Sequence, residues 1–279
     1  MELVTTKVLL KQLLDQARHS GTIGFVPTMG ALHRGHLSLV ERAVAENSTG
    51  VVSIFVNPTQ FNDQNDLLRY PRNLEADLEL LQATGCRYVF APSVEEIYPE
   101  PDTRVFQFGS LETVMEGKHR PGHFNGVAQV VSRLFDIVKP DRAYFGLKDF
   151  QQLAIIRAMV KQLQLSVEIV PCEIVREASG LAMSSRNQLL LPEERENAAV
   201  ISQTLFEAHR LAGKLSVGEL AGYITQTINQ NPFLTVEYVE IVNDMTLQPV
   251  SGWEEPGTKI ACVAVWCGKV RLIDNIVFN

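Results

Sequence analysis

The sequence predicts an α/β protein: a doubly wound, Rossmann-like parallel sheet followed by a smaller C-terminal α+β domain. Two observations lead there. Short β-branched or aromatic runs closed by Pro, Gly or Asn alternate with helix-length patterns through the first two thirds of the chain, as strands and crossover helices do. After about Arg176 the order changes to two long helical patterns and then three consecutive strands, which suits an antiparallel sheet. The expected domains are therefore residues 1–176 and 177–279.

Taken in order, the N-terminal stretch to Gly21 spreads Lys7, Lys11, Asp15 and Arg18 at helical spacing through Leu and Val, an amphipathic helix rather than a signal peptide. "TIGFVPT", "GVVSIFVNP", "CRYVFAP" and "SVEIVPC" are buried strands. Helices are expected over Leu37 to Ala45, and over "RNLEADLELLQATG", where Leu74, Leu78 and Leu81 form a stripe and Gly85 is the C-cap. "HFNGVAQVVSRLFDIVKP" is apolar nearly all round until Pro140 stops it, a buried helix. "DFQQLAIIRAMVKQLQL" places Phe150, Leu153, Ile156, Met159 and Leu163 on one face behind Asp149 as N-cap. In the second domain, the helices are "LPEERENAAVISQTLFEAHRLAG" and "SVGELAGYITQTINQ". The strands are "TVEYVEIVN", "KIACVAVWC" and "KVRLIDNIVF".

Composition excludes several classes. The chain has 279 residues, 46% hydrophobic and 20% charged, an ordinary globular balance. No apolar run reaches the roughly 18 residues that span a bilayer. A net charge of −7 leaves no extended basic footprint for a long nucleic acid, so basic residues gathered at one place should serve a small anion. Cys86, Cys172, Cys262 and Cys267 form no C-x-x-C pair, which fits buried thiols in a reducing, cytoplasmic compartment.

Ligands of open parallel sheets bind beyond the carboxyl ends of the strands: His33 and His36 follow the first strand, Asn57 and Gln60 the second, and Gly146, Lys148 and Asp149 precede a helix, while three clusters along the chain have phosphate-competent residues. His33 and His36 lie in "PTMGALHRGH", where Gly30 and Gly35 let the backbone turn and the helix start offers amides to an anion. Ring N–H groups there can donate to phosphate oxygens; a capped turn with incidental histidines, or a zinc site with His119 or His123, are the other readings. "SGLAMSSRN" sets Ser184, Ser185 and Arg186 in a row, hydroxyls and a guanidinium fork suited to phosphate or simply a solvated linker. "EGKHRPGHFNGV" packs Lys118, His119, Arg120 and His123 into a basic loop, mobile over an anion or merely solvated. Together the three favour a nucleotide-using enzyme.

Read in order, "PTMGALHRGH", "FVNPTQF", "EGKHRPGHFNGV", "YFGLKDFQQ", "REASGLAMSSRN" and "RLIDN" resemble the pantothenate synthetase family, part of the nucleotidylyltransferase superfamily with its H-x-G-H motif. The resemblance runs along the whole chain. It implies an ATP-dependent ligase that condenses pantoate with β-alanine through pantoyl adenylate, releasing pyrophosphate and AMP, with Mg2+ on the ATP and a homodimeric assembly. By resemblance the ATP site comprises Met29, Gly30, Ala31, Leu32, His33, Arg34, Gly35, His36, Gly146, Leu147, Lys148, Asp149, Val175, Met183, Ser184, Ser185 and Arg186. His36 takes the place of the proton donor. Lys148, Ser184, Ser185 and Arg186 would hold pyrophosphate, Gln60 and Gln152 pantoate with Asn57 beside them, and Gln60 would also border β-alanine. Ser179 stands where the family often has Asp, and Leu147 where a polar residue often precedes the Lys-Asp pair. The competing readings are a relative that transfers AMP and stops, a class I aminoacyl-tRNA synthetase, and a silent nucleotide sensor.

Overall fold

A computed structural model describes residues 1–278. The chain divides into two compact units. The larger comprises residues 1–108, 120–147 and 152–173; the smaller comprises 109–119, 148–151 and 174–279. The sequence led us to expect one boundary between 176 and 177. The last crossing lies three residues earlier, and two short excursions, 109–119 and 148–151, add four crossings that no change of composition announces.

The larger unit is a six-stranded, wholly parallel sheet. Its strands are β1 (Glu2–Val4), β2 (Ile23–Thr28), β3 (Thr49–Ile54), β4 (Tyr88–Phe90), β5 (Arg142–Gly146) and β6 (Glu168–Cys172), in the order β1-β4-β3-β2-β5-β6. Four of these match the predicted runs. β1 lay hidden inside the stretch read as an N-terminal helix, whose helical part α1 is Lys7–Arg18. β5, of sequence RAYFG, has no β-branched residue to mark it as a strand.

Period-two alternation puts helices on both faces. Phe25 meets Phe135 of α7 (His123–Val138) edge to face, while the next residue, Val26, joins the cluster of Leu39 and Val40 from α2 (Arg34–Glu46). α4 (Leu74–Gln82) adds Leu81 to that cluster. The chain moves outward from β2 through β3 to β4, then returns to the other side of β2 for β5. The topology therefore reverses between β2 and β5.

Pro27 bears on why the β2–β5 pairing stops short of that reversal. The carbonyl of Ile23 accepts from Asp141 on the β5 side, and that of Thr28 accepts from Phe55 on the β3 side. By alternation, residues 23, 25 and 27 turn their backbone groups towards β5, where Pro27 has no N–H to give. The β2–β5 register ends at Phe25↔Ala143, although β2 continues to Thr28 and β5 to Gly146.

The smaller unit packs α9 (Pro192–Leu211) and α10 (Val217–Asn229) on an antiparallel sheet of β7 (Leu234–Asn243), β8 (Lys259–Cys267) and β9 (Val270–Phe278). Leu205, Leu220, Ile224, Val263 and Val265 are among its fully buried side chains. Pro192 opens α9 at the position where a missing N–H costs nothing. The excursion 109–119 is held here by Gln151, which donates to the carbonyls of Leu111 and Val114 at 2.8 and 2.9 Å. Glu116, 7% exposed, takes both prongs of the Arg271 guanidinium and the Tyr238 hydroxyl.

Candidate active site

The histidine turn follows β2. α2 starts at Arg34, three residues before the expected helix, with His33 as its N-cap and His36 already in its first turn. The Nδ1 atom of His33 accepts the Gly35 N–H at 3.1 Å, so in the neutral ring Nε2 carries the proton and is the donor. The two imidazoles lie 4.0 Å apart between centroids, tilted by 36°.

A buried carboxylate fixes the turn before them. Asp77 of α4, 3% exposed, accepts the amides of Ala31 at 3.0 Å and Leu32 at 2.7 Å. Burial pushes its carboxyl above the usual range, against the pull of those two bonds. Gly30 has φ +80°, and a Cβ there would stand 2.8 Å from Asp77 Oδ2, so both conformation and space call for glycine. Thr28 completes the clamp: its hydroxyl donates to the Ser53 carbonyl at 2.7 Å and accepts the Gly30 amide at 3.2 Å.

This clamp redistributes the expected phosphate donors. The amides of Ala31, Leu32 and Gly35 are already bonded within the protein. Arg34 points along the exposed side of α2 into an ion pair with Glu41. What the turn presents is therefore its imidazoles at a helix N-terminus more than a nest of amides.

Asn57 and Gln60 occupy the 3-10 turn Pro58–Gln60 after β3, Asn57 as its N-cap. Asn57 is 1% exposed; its Nδ2 donates to Gln60 Oε1 and the Gly126 carbonyl, both at 3.1 Å, and its Oδ1 accepts from Tyr98 at 2.9 Å. The expected pantoate neighbour is thus engaged with the protein and orients Gln60, whose Nε2 lies 3.1 Å from Met29 Sδ. Gly126 permits this packing, because a Cβ would stand 2.4 Å from the Thr59 carbonyl oxygen. Gln152 lies, half-buried, in the first turn of α8 (Phe150–Gln162), which follows the 3-10 turn Leu147–Asp149 rather than starting with Asp149 as N-cap. Beside Gly146, at the end of β5, a Cβ would meet only open space.

The basic loop is not one patch. His123 is 7% exposed; Arg120 donates to its Nε2 at 3.2 Å and its Nδ1 donates to the Gln60 carbonyl at 2.8 Å. His119 belongs to the smaller unit, where it stacks on Tyr238 and lies 3.7 Å from Glu237. Among the described residues no group of three or more His, Cys, Asp or Glu side chains could hold a metal ion.

In the smaller unit, Val175 and Met183 lie on the arms of a hairpin, with Met183 N donating to the Val175 carbonyl at 3.0 Å. Arg176 and Ala182 bridge inside it, and Gly180 turns it at φ +94°. Ser184 then caps the 3-10 turn Ser185–Leu189, its Oγ accepting from Arg186 N at 3.3 Å. Asn187 holds this turn from beneath through Glu177 and the Ala182 carbonyl, at 2.8 and 3.1 Å. Lys148, largely buried, lies 3.7 Å from the half-exposed Asp149.

A family model, Pantoate-beta-alanine ligase, matches residues 2–277. The chain belongs to the pantoate–beta-alanine ligase family. The pantothenate synthetase of Phocaeicola vulgatus is 60% identical over 281 residues, covering all of both chains. That of Bacteroides fragilis is 58% identical over 99% of this chain and 98% of its own. Among solved structures, pantothenate synthetase from Thermus thermophilus superposes with a TM-score of 0.93 at 47% identity, covering 99% of each chain. A pantoate–beta-alanine ligase from Francisella tularensis, complexed with beta-gamma ATP and beta-alanine, gives 0.84 at 35% identity over 99% and 97%. The family membership accounts for a parallel sheet joined to a small antiparallel one. The ligase family also agrees with the absence, among the described residues, of a helix long and apolar enough to cross a membrane.

Proposed function

We propose that the chain condenses pantoate with β-alanine at the expense of ATP, using the histidine turn and the serine-arginine turn as its two phosphate-binding elements. The observation that carries this reading is the pair of imidazoles at the start of α2, after a turn held by Asp77 where the strand order reverses. The ATP and β-alanine bound by the Francisella relative support it.

In the first step a pantoate carboxylate oxygen attacks the α-phosphorus of ATP, the P–O bond to the bridging oxygen breaks, and pyrophosphate leaves. His33 and His36 donate to phosphate oxygens as charge builds. Lys148, Ser184, Ser185 and Arg186 take up the departing pyrophosphate. In the second step the β-alanine amine attacks the acyl carbon, the bond to AMP breaks, and the amine gives up a proton. Gln60 and Gln152 address the hydroxyls and carboxylate of pantoate as donors and acceptors, while Asn57 keeps Gln60 in register. The chemistry asked of the protein is chiefly alignment. Mg2+, which shields phosphate charge when ATP brings it, would take its oxygens mainly from phosphates and water.

The reading includes a homodimer, on the strength of the family resemblance, and a cytoplasmic location, on the strength of the N-terminal helix pattern and the four unpaired cysteines. Its deciding test is AMP formation from ATP and pantoate. Dependence on β-alanine supports the ligase; equal AMP release without β-alanine sinks it.

A further inference from the structure

Two adjacent residues of β9 hold two separate pieces of the smaller unit. Asp274, 4% exposed, grips Arg176 through both oxygens at 2.6 and 3.0 Å, and Arg176 donates onward to the Gly180 carbonyl at 3.2 Å. The hairpin that leads into Ser184–Arg186 is thereby fastened to β9. Asn275, also 4% exposed, donates from Nδ2 to the backbone carbonyl of Lys148 at 3.0 Å. Its own amide donates to Asp274 Oδ1 at 2.8 Å, so the two residues are locked to each other. β9 also packs directly on the 3-10 turn Ser185–Leu189. Burial pushes the Asp274 carboxyl up, and both Arg176 and the Lys148 ammonium pull it back, which places Lys148 within electrostatic reach of the same carboxylate.

We propose that Asp274 and Asn275 are positioning residues that set Lys148 against Ser184, Ser185 and Arg186. This rests on the assignment of those four residues to pyrophosphate. Neither β9 residue touches substrate in this proposal. Their contribution is to hold groups from distant parts of the chain at one spacing, where a misplacement of an ångström is costly.

The test uses the full-length enzyme and compares Asn275→Ala, Asp274→Asn and Lys148→Ala in pyrophosphate release. Asn275→Ala should raise KM for ATP about tenfold and leave KM for pantoate within about twofold. A merely structural role would lower the folded fraction, and with it kcat, while leaving both KM values in place. If Asp274→Asn does not fold, Asn275→Ala alone decides. Wild-type KM for ATP in folded Asn275→Ala, with Lys148→Ala inactive, overturns the positioning role only. Wild-type kinetics in Lys148→Ala overturn the pyrophosphate assignment and the inference together.

Discussion

Asp77 and Asp274 are both nearly inaccessible carboxylates, and each holds a loop assigned to phosphate, yet they are neutralised in different ways. Asp77 is met by two backbone amides, Asp274 by a guanidinium fork. Amide dipoles require no counter-ion: removing the charge at Asp77 leaves no buried cation behind. At Asp274 the same change strands Arg176, whose side chain is 17% exposed. The histidine turn is therefore held by backbone amides bonded to a carboxylate, and the serine-arginine turn by a charge pair that links it to the end of the chain.

The largest expected effect tests what the Asp77 clamp serves. His36→Ala should keep the fold and lower pyrophosphate release by about 10²- to 10⁴-fold, the range for a lost acid or charge-stabilising group. Near-normal release by the soluble variant would leave the clamp without a chemical purpose. Next is the charge pair: Asp274→Asn should cost about 3–5 kcal/mol of stability by urea denaturation, because it leaves a buried cation unpaired.

Asp77→Asn should cost less, about 1–3 kcal/mol, since it spoils one backbone bond and strands no charge. A loss equal to that of Asp274→Asn would erase the distinction. Its pH dependence has a definite sign. Burial holds the folded-state pKa of Asp77 above its unfolded value, so its contribution is fullest below about pH 4 and declines as pH rises through the folded value. The stability gap between wild type and Asp77→Asn should narrow from acid towards neutral pH, read from urea midpoints across that range. The smallest effect lies outside both clamps. Gln152→Ala should raise KM for pantoate about fivefold, the value of one neutral hydrogen bond, with KM for ATP unchanged; equal shifts would remove its assignment to pantoate.

The contrast also explains what could be read in the sequence. The histidines, glycines and serine-arginine run are contiguous and announce themselves through turn chemistry. Asp77 lies in a helix 45 residues after Leu32, inside an acidic pattern that reads as a solvated face, and no local signal separates it from Glu75 or Glu79. Asp274 falls in "RLIDN", a segment that marks the family without revealing that its acid meets Arg176. The amides of Ala31, Leu32 and Gly35 looked available because a sequence shows donors but not the acceptors that claim them. Likewise Gly126 reads as one more helical residue, and only the approach of Thr59 gives its missing side chain a purpose. The long helices were legible from periodicity and four strands of the larger unit from β-branched or aromatic runs; β1 is three residues set against a helical pattern, and β5 has no β-branched residue.

The excursions 109–119 and 148–151 bear on inheritance. Because Glu116 and Gln151 belong to the smaller unit, its coding sequence is interleaved with that of the larger one. A gene segment beginning at residue 177 would encode the three-stranded sheet without the Glu116 that meets Arg271 and without the Lys148 carbonyl that meets Asn275. Recombination at that junction would deliver the smaller unit without these contacts of its own.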